Sequence, residues 1–390
     1  MNLLPYAQEY RRYLRERIVP FWQNFSIDTQ FGGYHCVLSA KGEVITSDKW
    51  IEWHGQQSSA FLYFYLSENQ PIFLQSAQQG ADFLLRYAFD EKGTFSEVVD
   101  TTGRKLTDVS DARPEAAAVV AWASIAPLIE ASNYAEIAKK TFLRAFRHRE
   151  KRLQKQIEEV SNGRQLKNIS ELSAVAKALW AVRESLGEKN FKEKAEALLN
   201  ELMKHFWEPR AGILLENVFS EGGFSDCLQG RRIHPGRAFE AFNAFYDITK
   251  ILNKRRIRQQ LAEHIAYLTD TTWDEAYGGY FHWLDVKSLP PSQPDAYFKY
   301  AWVQLEATTA ILMAYQVLQD RELLRKWLRV HDYTWQHFPD NTPEGEWIEV
   351  LSRHGEPLFS LKATPAKSAY PVVKNLLDSA AILEQIQSSF

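Results

Sequence analysis

The stretch Asp28-Thr29-Gln30-Phe31-Gly32-Gly33-Tyr34 returns late in the chain as Asp274-Glu275-Ala276-Tyr277-Gly278-Gly279-Tyr280. In both copies an aspartate precedes a Gly-Gly-Tyr sequence, which is typical of a turn that leads into an extended segment. Further matches follow each copy, with Lys49-Trp50 and Gln57 corresponding to Lys299, Trp302 and Gln304. A recurrence of this kind indicates that the chain is built from copies of one unit.

Weaker copies of the unit occur at regular steps between these two. Each has strand- or hairpin-like character around a glycine-containing turn. The six copies lie at 32–38, 93–99, 156–160, 212–218, 278–284 and 345–351. Together they account for the entire chain, and we therefore expect residues 1–390 to form a single domain without a linker.

Two helical patterns separate each pair of extended segments. The amphipathic, charged patterns cover 6–22, 73–87, 134–150, 191–206, 256–268 and 323–337. The small, apolar patterns cover 57–66, 115–126, 172–182, 236–248, 302–317 and 372–382. A helix that is apolar nearly all round is buried, so we expect the apolar set to lie inside the charged set. The prediction is an all-α fold, an (α/α)6 barrel with short β-hairpins at one end. An open solenoid is the competing architecture, but neither end resembles a polar capping repeat.

Composition excludes several classes of protein. The net charge is −3 with both signs mixed along the chain, so we expect neither nucleic acid nor a membrane as a partner. Cys36 and Cys227 are the only cysteines and cannot form a disulfide framework or a cysteine metal site. No apolar run is long enough to span a membrane, and no signal peptide is recognisable. We expect a soluble, cytoplasmic protein without a metal or another cofactor.

The candidate site lies where the apolar helices begin, because a closed barrel brings these ends around one cavity. The most informative start is Arg231-Arg232-Ile233-His234-Pro235-Gly236-Arg237-Ala238-Phe239-Glu240. Proline suits the first turn of a helix, and Arg237 and Glu240 then share one face of that turn. They could line a binding site or form an ordinary structural ion pair. Further starts that should reach the cavity are 53–57, 113–115, 299–306 and 367–374.

Four groups of motifs in this order carry a resemblance to a known family. They are Phe21-Trp22 with Asp28 and Gly32-Gly33-Tyr34; Ile233 to Glu240; Tyr277-Gly278-Gly279-Tyr280-Phe281 followed by Lys299, Trp302, Gln304 and Glu306; and Gly345-Glu346-Trp347 with Gly355, Pro357, Lys362, Pro365 and Lys367. The chain resembles the N-acylglucosamine 2-epimerase family, which includes cellobiose 2-epimerases and aldose–ketose isomerases acting on mannose. The resemblance runs from about residue 21 to residue 374.

The resemblance implies a reaction on a reducing, possibly N-acylated, sugar as the small-molecule partner. The proton on C2 is abstracted, and an enediolate is reprotonated to give an epimer or an isomer. This chemistry needs bases with a pKa near neutrality, usually histidines, and groups that hold the enediolate oxygen. The resemblance implies that these groups are a His after Pro-Gly, a His near the C-terminus and an Arg at the start of the second helix. It also implies a possible homodimer.

The sequence departs from the family pattern at all three positions. Arg237 follows Pro235-Gly236, Pro371 stands where the second His is expected, and Gln56 replaces the Arg. A guanidinium stays protonated near neutral pH, and proline has no titratable group. The two-histidine mechanism is therefore not available to this chain.

The remaining polar residues of the motifs are the candidates for the site. The candidate catalytic residues are Glu240, His234 and Glu306. The candidate substrate-binding residues are Gln56, Arg237, Lys299, Trp302, His54 and Glu115. Arg231, Arg232 and Arg237 on one loop also suggest an anionic substrate, such as a sugar acid or phosphate.

Three functions are consistent with these residues. The first is a sugar 2-epimerase or aldose–ketose isomerase with an altered set of bases. The second is a sugar-binding relative that has lost catalysis. The third is a glycoside hydrolase, in which Glu240 with Glu306 or Glu115 would act as paired carboxylates; a carboxylate that is locked in an ion pair would not suit that role.

Overall fold

The structure is a computed structural model and describes residues 2–130, 132–158, 165–342 and 345–389, apart from the side chains of 155–158. Its helices form two sets. The outer set comprises α1 (Leu4–Tyr13) with α2 (Val19–Phe25), α4 (Pro71–Tyr87), α6 (Tyr134–Glu158), α9 (Glu188–Glu201), α11 (Arg255–Thr271) and α13 (Arg321–His337). The inner set comprises α3 (Ile51–Glu68), α5 (Arg113–Ile125), α7 (Ile169–Ala181), α10 (Pro235–Ile251), α12 (Ala301–Leu318) and α14 (Tyr370–Ser388). A short helix, α8 (Arg183–Leu186), joins α7 to α9.

The helix ends carry the signals that their sequences predict. Pro71 and Pro235 occupy the first positions of α4 and α10, where the missing N–H costs no hydrogen bond. The side chains of Asn168 and Asp320 cap α7 and α13 by accepting a bond from a backbone N–H two residues on.

The inner helices close into a ring. Each packs against its neighbours in the order α3, α5, α7, α10, α12, α14, and α14 packs against α3. Each outer element packs against an inner helix of its pair, and α1 covers α14. The predicted (α/α)6 barrel is confirmed, since an open solenoid would leave α14 and α3 apart. No helix in the described part of the chain combines the length and apolarity needed to cross a membrane.

Short strands connect the units where the inner helices begin. They are β1 (Val37–Leu38), β2 (Val44–Thr46), β3 (Lys49–Trp50), β4 (Ser96–Val99), β5 (Lys105–Asp108), β6 (Leu166–Asn168), β7 (Trp207–Glu208), β8 (Ile213–Leu214), β9 (Asn217–Phe219), β10 (Arg232–Ile233), β11 (Leu284–Asp285), β12 (Lys299–Tyr300) and β13 (Val350–Leu351). All pairings between them are antiparallel. The strands directly before α3, α7, α10 and α12 pair with β4, β9, β11 and β13 of the next unit. These pairings fix the start of one inner helix against the following unit.

Two predicted hairpins differ from the sequence interpretation. The segment 156–158 belongs to the end of α6, so the extended segment predicted there is wrong; residues 159–160 lie outside the described residues. The strand of that unit is β6, farther along the chain. The segment 212–218 contains β8 and β9, but these pair with β7 and β6 rather than with each other.

The two most similar units hold their inner helices with the same bonds. Lys49 Nζ lies 2.6 Å from Asp28 Oδ2, and Lys299 Nζ lies 3.2 Å from Asp274 Oδ2. The N–H of Tyr34 donates to His54 Nε2 at 3.0 Å. The N–H of Tyr280 donates to Gln304 Oε1 at 2.9 Å. His54, and not Gln57 as the sequence match indicated, therefore corresponds to Gln304.

Candidate active site

The start of α10 is shaped by its Pro-Gly sequence. His234 has an extended backbone before Pro235, as expected for a residue that precedes proline. A Cβ atom on Gly236 would lie 2.8 Å from ring carbons of Trp302 and 2.8 Å from a methyl carbon of Val303. Glycine is needed here because α10 and α12 approach each other so closely.

Glu240 is held between two cations. Its Oε2 lies 2.7 Å from Arg237 Nη1, and its Oε1 lies 2.7 Å from Lys177 Nζ on α7. Burial would raise the pKa of Glu240, but Lys177 and Arg237 outweigh this effect and lower the pKa to about 2. Glu240 is consequently ionised and a weak base, so its geometry fits charge balance better than proton abstraction.

Glu306 is held by amides from the two neighbouring inner helices. Asn243 Nδ2 donates to Oε2 at 2.6 Å, and Asn375 Nδ2 donates to Oε1 at 3.0 Å. The side chain is buried. Burial would lower the pKa of Lys177 and of Lys374, but Glu240 beside Lys177 and Asp378 beside Lys374, each with a further contribution from Glu306, raise the pKa of both lysines. Glu306 thus joins α10, α12 and α14. Together with Lys177, Arg237, Glu240 and Lys374 it forms a layer of charged side chains inside the inner ring, which we call the charged layer.

Glu52 and Arg113 face each other from the first turns of α3 and α5. The distance from Glu52 Oε2 to Arg113 Nη1 is 3.8 Å, and Gln56 Nε2 donates to Glu52 Oε1 at 3.2 Å. About a third of each side chain is exposed, 33% for Glu52 and 30% for Arg113. Burial raises the pKa of Glu52, and the charges of Arg113 and Arg237 only partly oppose this. Residues 113–115 were expected to reach the cavity, but neither Glu52 nor Arg113 was among the candidate site residues, although both stand at inner-helix starts.

His234 lies in an aromatic cluster at the same end of the barrel. Its ring centroid is 4.2 Å from that of Trp283, 4.8 Å from that of His282 and 5.1 Å from that of Trp302. Burial lowers the pKa of His234 well below its usual value, with help from His282 and Arg237. The imidazole is therefore neutral at pH 7, and its buried Nδ1 has no hydrogen-bond partner among the residues that the structure describes.

His282 belongs to this cluster as well, although no motif singled it out. Its Nδ1 lies 2.9 Å from Asp295 Oδ2, and its ring lies 4.0 Å from the ring of Tyr300. Burial lowers the pKa of His282 to about 4 despite Asp295. Because the residue is supplied by the segment before β11, only the folded structure brings it next to His234.

Gln56 and Trp302 are the other candidates that the structure places beside this layer. Gln56 Oε1 accepts a hydrogen bond from Ser368 Oγ at 3.0 Å, and its amide nitrogen reaches Glu52. The ring of Trp302 carries the guanidinium of Arg237, with 4.7 Å from Cζ to the ring centroid. Both side chains are partly exposed.

Three predicted site residues serve the frame of the barrel instead. His54 is fully buried, and its Nδ1 donates to the Trp50 carbonyl at 2.9 Å while Nε2 accepts from Tyr34. Lys299 is fully buried and bound to Asp274 and to the Gly279 carbonyl. Because their polar atoms are bound within the protein, the geometry of His54 and Lys299 favours a structural role, and their predicted contact with a substrate stays a prediction.

Glu115, the third of these residues, turns toward the outer ring. Its Oε1 lies 3.9 Å from Arg144 Nη2 on α6. Burial raises its pKa to about 7, against the effects of Arg144 and Arg152. Both cations belong to the outer helix α6, so the predicted contact of Glu115 with a substrate, and its pairing with Glu240 across the cavity, do not agree with this position.

A cavity of about 790 Å³ lies among the inner helices, lined by the C-terminal halves of α3, α5 and α7 and by the first turns of α14. Lys177 and Lys374 of the charged layer line this cavity. Asn243, Tyr63 and Tyr370 line it as well. Lys374 is paired with Asp378 at 3.1 Å. Within the described ranges, no group of three or more His, Cys, Asp or Glu side chains is arranged to hold a metal ion.

Fold and site together define a closed (α/α)6-barrel protein with a layer of paired charges inside its inner ring. Comparison with known proteins then narrows the class. The model of the N-acylglucosamine 2-epimerase (GlcNAc 2-epimerase) family matches residues 32–374, and the chain belongs to this family.

Individual relatives agree with this assignment. The N-acylglucosamine 2-epimerase of Bos taurus is 29% identical over 397 residues, which cover 96% of this chain and 90% of the relative. Among solved structures, the cellobiose 2-epimerase of Bacillus thermoamylovorans B4167 superposes with a TM-score of 0.81 at 20% identity, over 98% of this chain and all of that one. The GH76A α-1,6-mannanase of Salegentibacter sp. HEL1_6 superposes with a TM-score of 0.61 at 9% identity, over 98% and 99% of the two chains. Since an epimerase and a mannanase share this fold, the fold alone does not determine the reaction.

Proposed function

We propose that the chain acts on a reducing, possibly N-acylated, sugar by abstracting the proton on C2, and that Glu52 is the base. The observation that carries this proposal is the environment of Glu52. Its carboxylate is partly exposed, its pKa is raised by burial, and the guanidinium groups of Arg113 and Arg237 lie near it. A base works best when its pKa approaches the working pH, and fixed cations stabilise an enediolate oxygen.

The proposed reaction is balanced within the sugar and Glu52. The C2–H proton moves to the Glu52 carboxylate, the C–H electron pair forms a C1=C2 double bond, and the carbonyl electrons move to O1. Arg113 and Arg237 then stabilise the charge on O1. Return of the proton to C1, with transfer of the O2 proton to O1, gives a ketose. Delivery of a proton to the opposite face of C2 gives the epimer and needs a second donor, so a single carboxylate accounts more simply for isomerisation.

The hydrolase alternative has weaker support from the geometry. Glu240 is bound to Lys177 and Arg237, and Glu306 is bound to two amides. Glu115 faces α6 rather than either of them. A hydrolase needs one protonated and one ionised carboxyl group on opposite sides of a glycosidic bond, and the three carboxylates named from the sequence do not supply that pair.

The test is proton NMR in D₂O with purified protein and a panel of glucose, mannose, their N-acetylamino forms, cellobiose and sugar acids. We expect deuterium at C2 or C1 and new ketose or epimer signals. Glu52→Gln should slow the exchange by about 100-fold or more, since it removes a general base. Glu43→Gln is the matched control, because Glu43 lies exposed on the first hairpin.

Each outcome separates the candidate functions. Undiminished exchange in Glu52→Gln would place the base elsewhere. No exchange with any sugar, together with thermal stabilisation by one of them, would indicate a binding protein without catalysis. The single-domain organisation, the homodimer and the cytoplasmic location stay predictions.

A further inference from the structure

We propose that the sugar carries an anionic group, a carboxylate or a phosphate, which binds between Arg232 and Arg237. The inference rests on the proposed function for the sugar and for the end of the barrel at which it binds, but not on turnover. It names Arg232 as the residue that determines specificity for charge.

Arg232 has no partner for its charge. In the part of the chain that the structure describes, its guanidinium makes no ion pair within 4.0 Å and no side-chain hydrogen bond, and its Nε is buried. The side chain is only partly exposed. A half-buried guanidinium without an acceptor is costly, so an acceptor supplied by a ligand would satisfy it.

The adjacent residue shows the contrast. Arg231 Nε lies 2.9 Å from Asp285 Oδ2, and its Nη1 lies 3.5 Å from Asp226 Oδ1. Successive side chains of a strand point to opposite sides, which separates the two arginines although they are neighbours in sequence. Of the three arginines that the sequence singled out, Arg231 binds Asp285 of the paired strand β11, Arg237 binds Glu240, and Arg232 has N–H groups available for a ligand.

Arg232 and Arg237 flank one aromatic cluster. The Cζ of Arg232 lies 4.8 Å from the centroid of a Trp283 ring, and the Cζ of Arg237 lies 4.7 Å from a Trp302 ring. Both tryptophans pack against His234, with ring centroids at 4.2 and 5.1 Å. Each guanidinium lies over a tryptophan ring, which restricts its movement. A guanidinium held in this way is suited to paired N–H···O bonds to a carboxylate or phosphate.

The surrounding carboxylates leave room for an added anion. Glu240 already neutralises part of the charge of Lys177 and Arg237 together. Burial raises the pKa of Glu216, and the charges of Arg232 and Arg237 oppose this, yet within the described ranges Glu216 forms no ion pair with either arginine. Its oxygens accept hydrogen bonds from Asn168 at 3.3 Å and from Asn217 at 3.1 Å. Among these groups, three cations (Lys177, Arg232 and Arg237) stand against two carboxylates (Glu240 and Glu216).

The test compares the dissociation constants of matched sugars measured by calorimetry at low and high salt. The probes are glucose, glucuronate and glucose 6-phosphate. We expect one or both anionic sugars to bind about tenfold or more tightly than glucose, with the advantage shrinking as salt is added. The two anionic probes show whether the group is a carboxylate or a phosphate. Arg232→Gln should abolish the advantage without weakening the binding of glucose.

Lys287→Gln is the control, because it removes the same charge just after β11, the strand that pairs with β10, at an exposed position paired with Asp226. Equal affinities for charged and neutral sugars, or an advantage that survives in Arg232→Gln, would overturn the inference. So would an equal loss in Lys287→Gln, since the effect would then come from general surface charge. If the tighter binding of anionic sugars depends on Arg232 but no sugar shows exchange at C2, the proposed reaction fails and the inference stands. If glucose exchanges at C2 but anionic sugars bind no more tightly than glucose, the inference fails and the proposed reaction stands.

Discussion

The first and fifth units solve the same structural problem with different residues. Each places a lysine before an inner helix, binds it to an aspartate of the preceding turn, and then fixes a tyrosine N–H with a side chain five residues beyond the lysine. In the first unit that side chain is His54, and in the fifth it is Gln304. The comparison teaches that a histidine near a catalytic motif can be a backbone acceptor that an amide replaces.

The two lysines differ in the hydrogen bonds that their ammonium groups donate. Lys49 donates to Asp28, to the Gly32 carbonyl and to the Tyr34 carbonyl, at 2.6, 3.0 and 3.2 Å. Lys299 donates to Asp274 and to the Gly279 carbonyl, and burial lowers its pKa to about 8 in spite of Asp274. Asp274 also accepts from Arg353 at 2.8 Å. At Asp28 the corresponding neighbour is His35, whose Nδ1 lies 3.9 Å from Oδ2 and whose pKa is lowered by burial, so the second permanent cation belongs to the fifth unit.

The largest expected effect on stability follows from replacing Lys49 or Lys299. Lys49→Met should lower the free energy of unfolding by about 3–5 kcal/mol, because Asp28 is left buried without a cation. Lys299→Met should cost less, since Arg353 still binds Asp274. Urea unfolding of the two variants measures the difference. Equal losses would show that Arg353 does not compensate.

A pH titration tests the difference between His54 in the first unit and Gln304 in the fifth. Burial, and then the charge of Lys49, lowers the pKa of His54 from 6.5 to about 3, whereas Gln304 does not titrate. Below pH 6.5 the unfolded chain binds a proton that the folded chain refuses, so this stability is fully present above pH 6.5 and is lost as the pH falls toward 3. Between pH 7 and pH 5 the wild type should lose about 2 kcal/mol more than His54→Gln.

The measurement is urea unfolding of both proteins across that pH range. The other histidines are common to the two chains, and their contributions cancel in the difference. Parallel curves would mean that His54 is protonated in the folded state, which would contradict its burial and its two backbone hydrogen bonds.

The smallest expected effect is that of His54→Gln at pH 7. Since Gln304 performs the same task, the change should cost less than about 1 kcal/mol and should leave C2 exchange and sugar affinity unchanged. Exchange is measured by NMR beside Glu52→Gln. A folded His54→Gln protein that no longer binds or exchanges sugar would return His54 to the site.

The sequence allowed most of the fold to be predicted because burial determines helix composition. The apolar and charged patterns alternate along the chain, and each fell on an inner or outer helix as expected. The error at 156–158 arose from extended-type residues at the end of α6, where the helix continues. Such a residue type is a weak local preference that the surrounding helix overrides.

The site could be located from sequence, but not assembled. The starts of the inner helices were the correct region, and Glu240, Arg237 and Gln56 lie there. The residues that set their charge state are on other elements: Lys177 is within α7, and Asn243 and Asn375 lie below the first turns of α10 and α14. No local pattern shows that a lysine of one helix meets a glutamate of the next, and the burial of His54 and Lys299 depends on turns far from them in sequence.

The packing of α14 between α12 and α3 has a consequence for how the protein matures. The same helix completes the ring and brings Lys374 and Asn375 to the charged layer. A chain in which the other five inner helices have assembled but α14 has not docked lacks the bond from Asn375 to Glu306. It also lacks the bond from Ser368, just before α14, to Gln56, whose amide donates to Glu52 at the proposed sugar site. Sugar binding would then report the last step of assembly, and a bound sugar would slow the detachment of α14 because a ligand stabilises the state to which it binds.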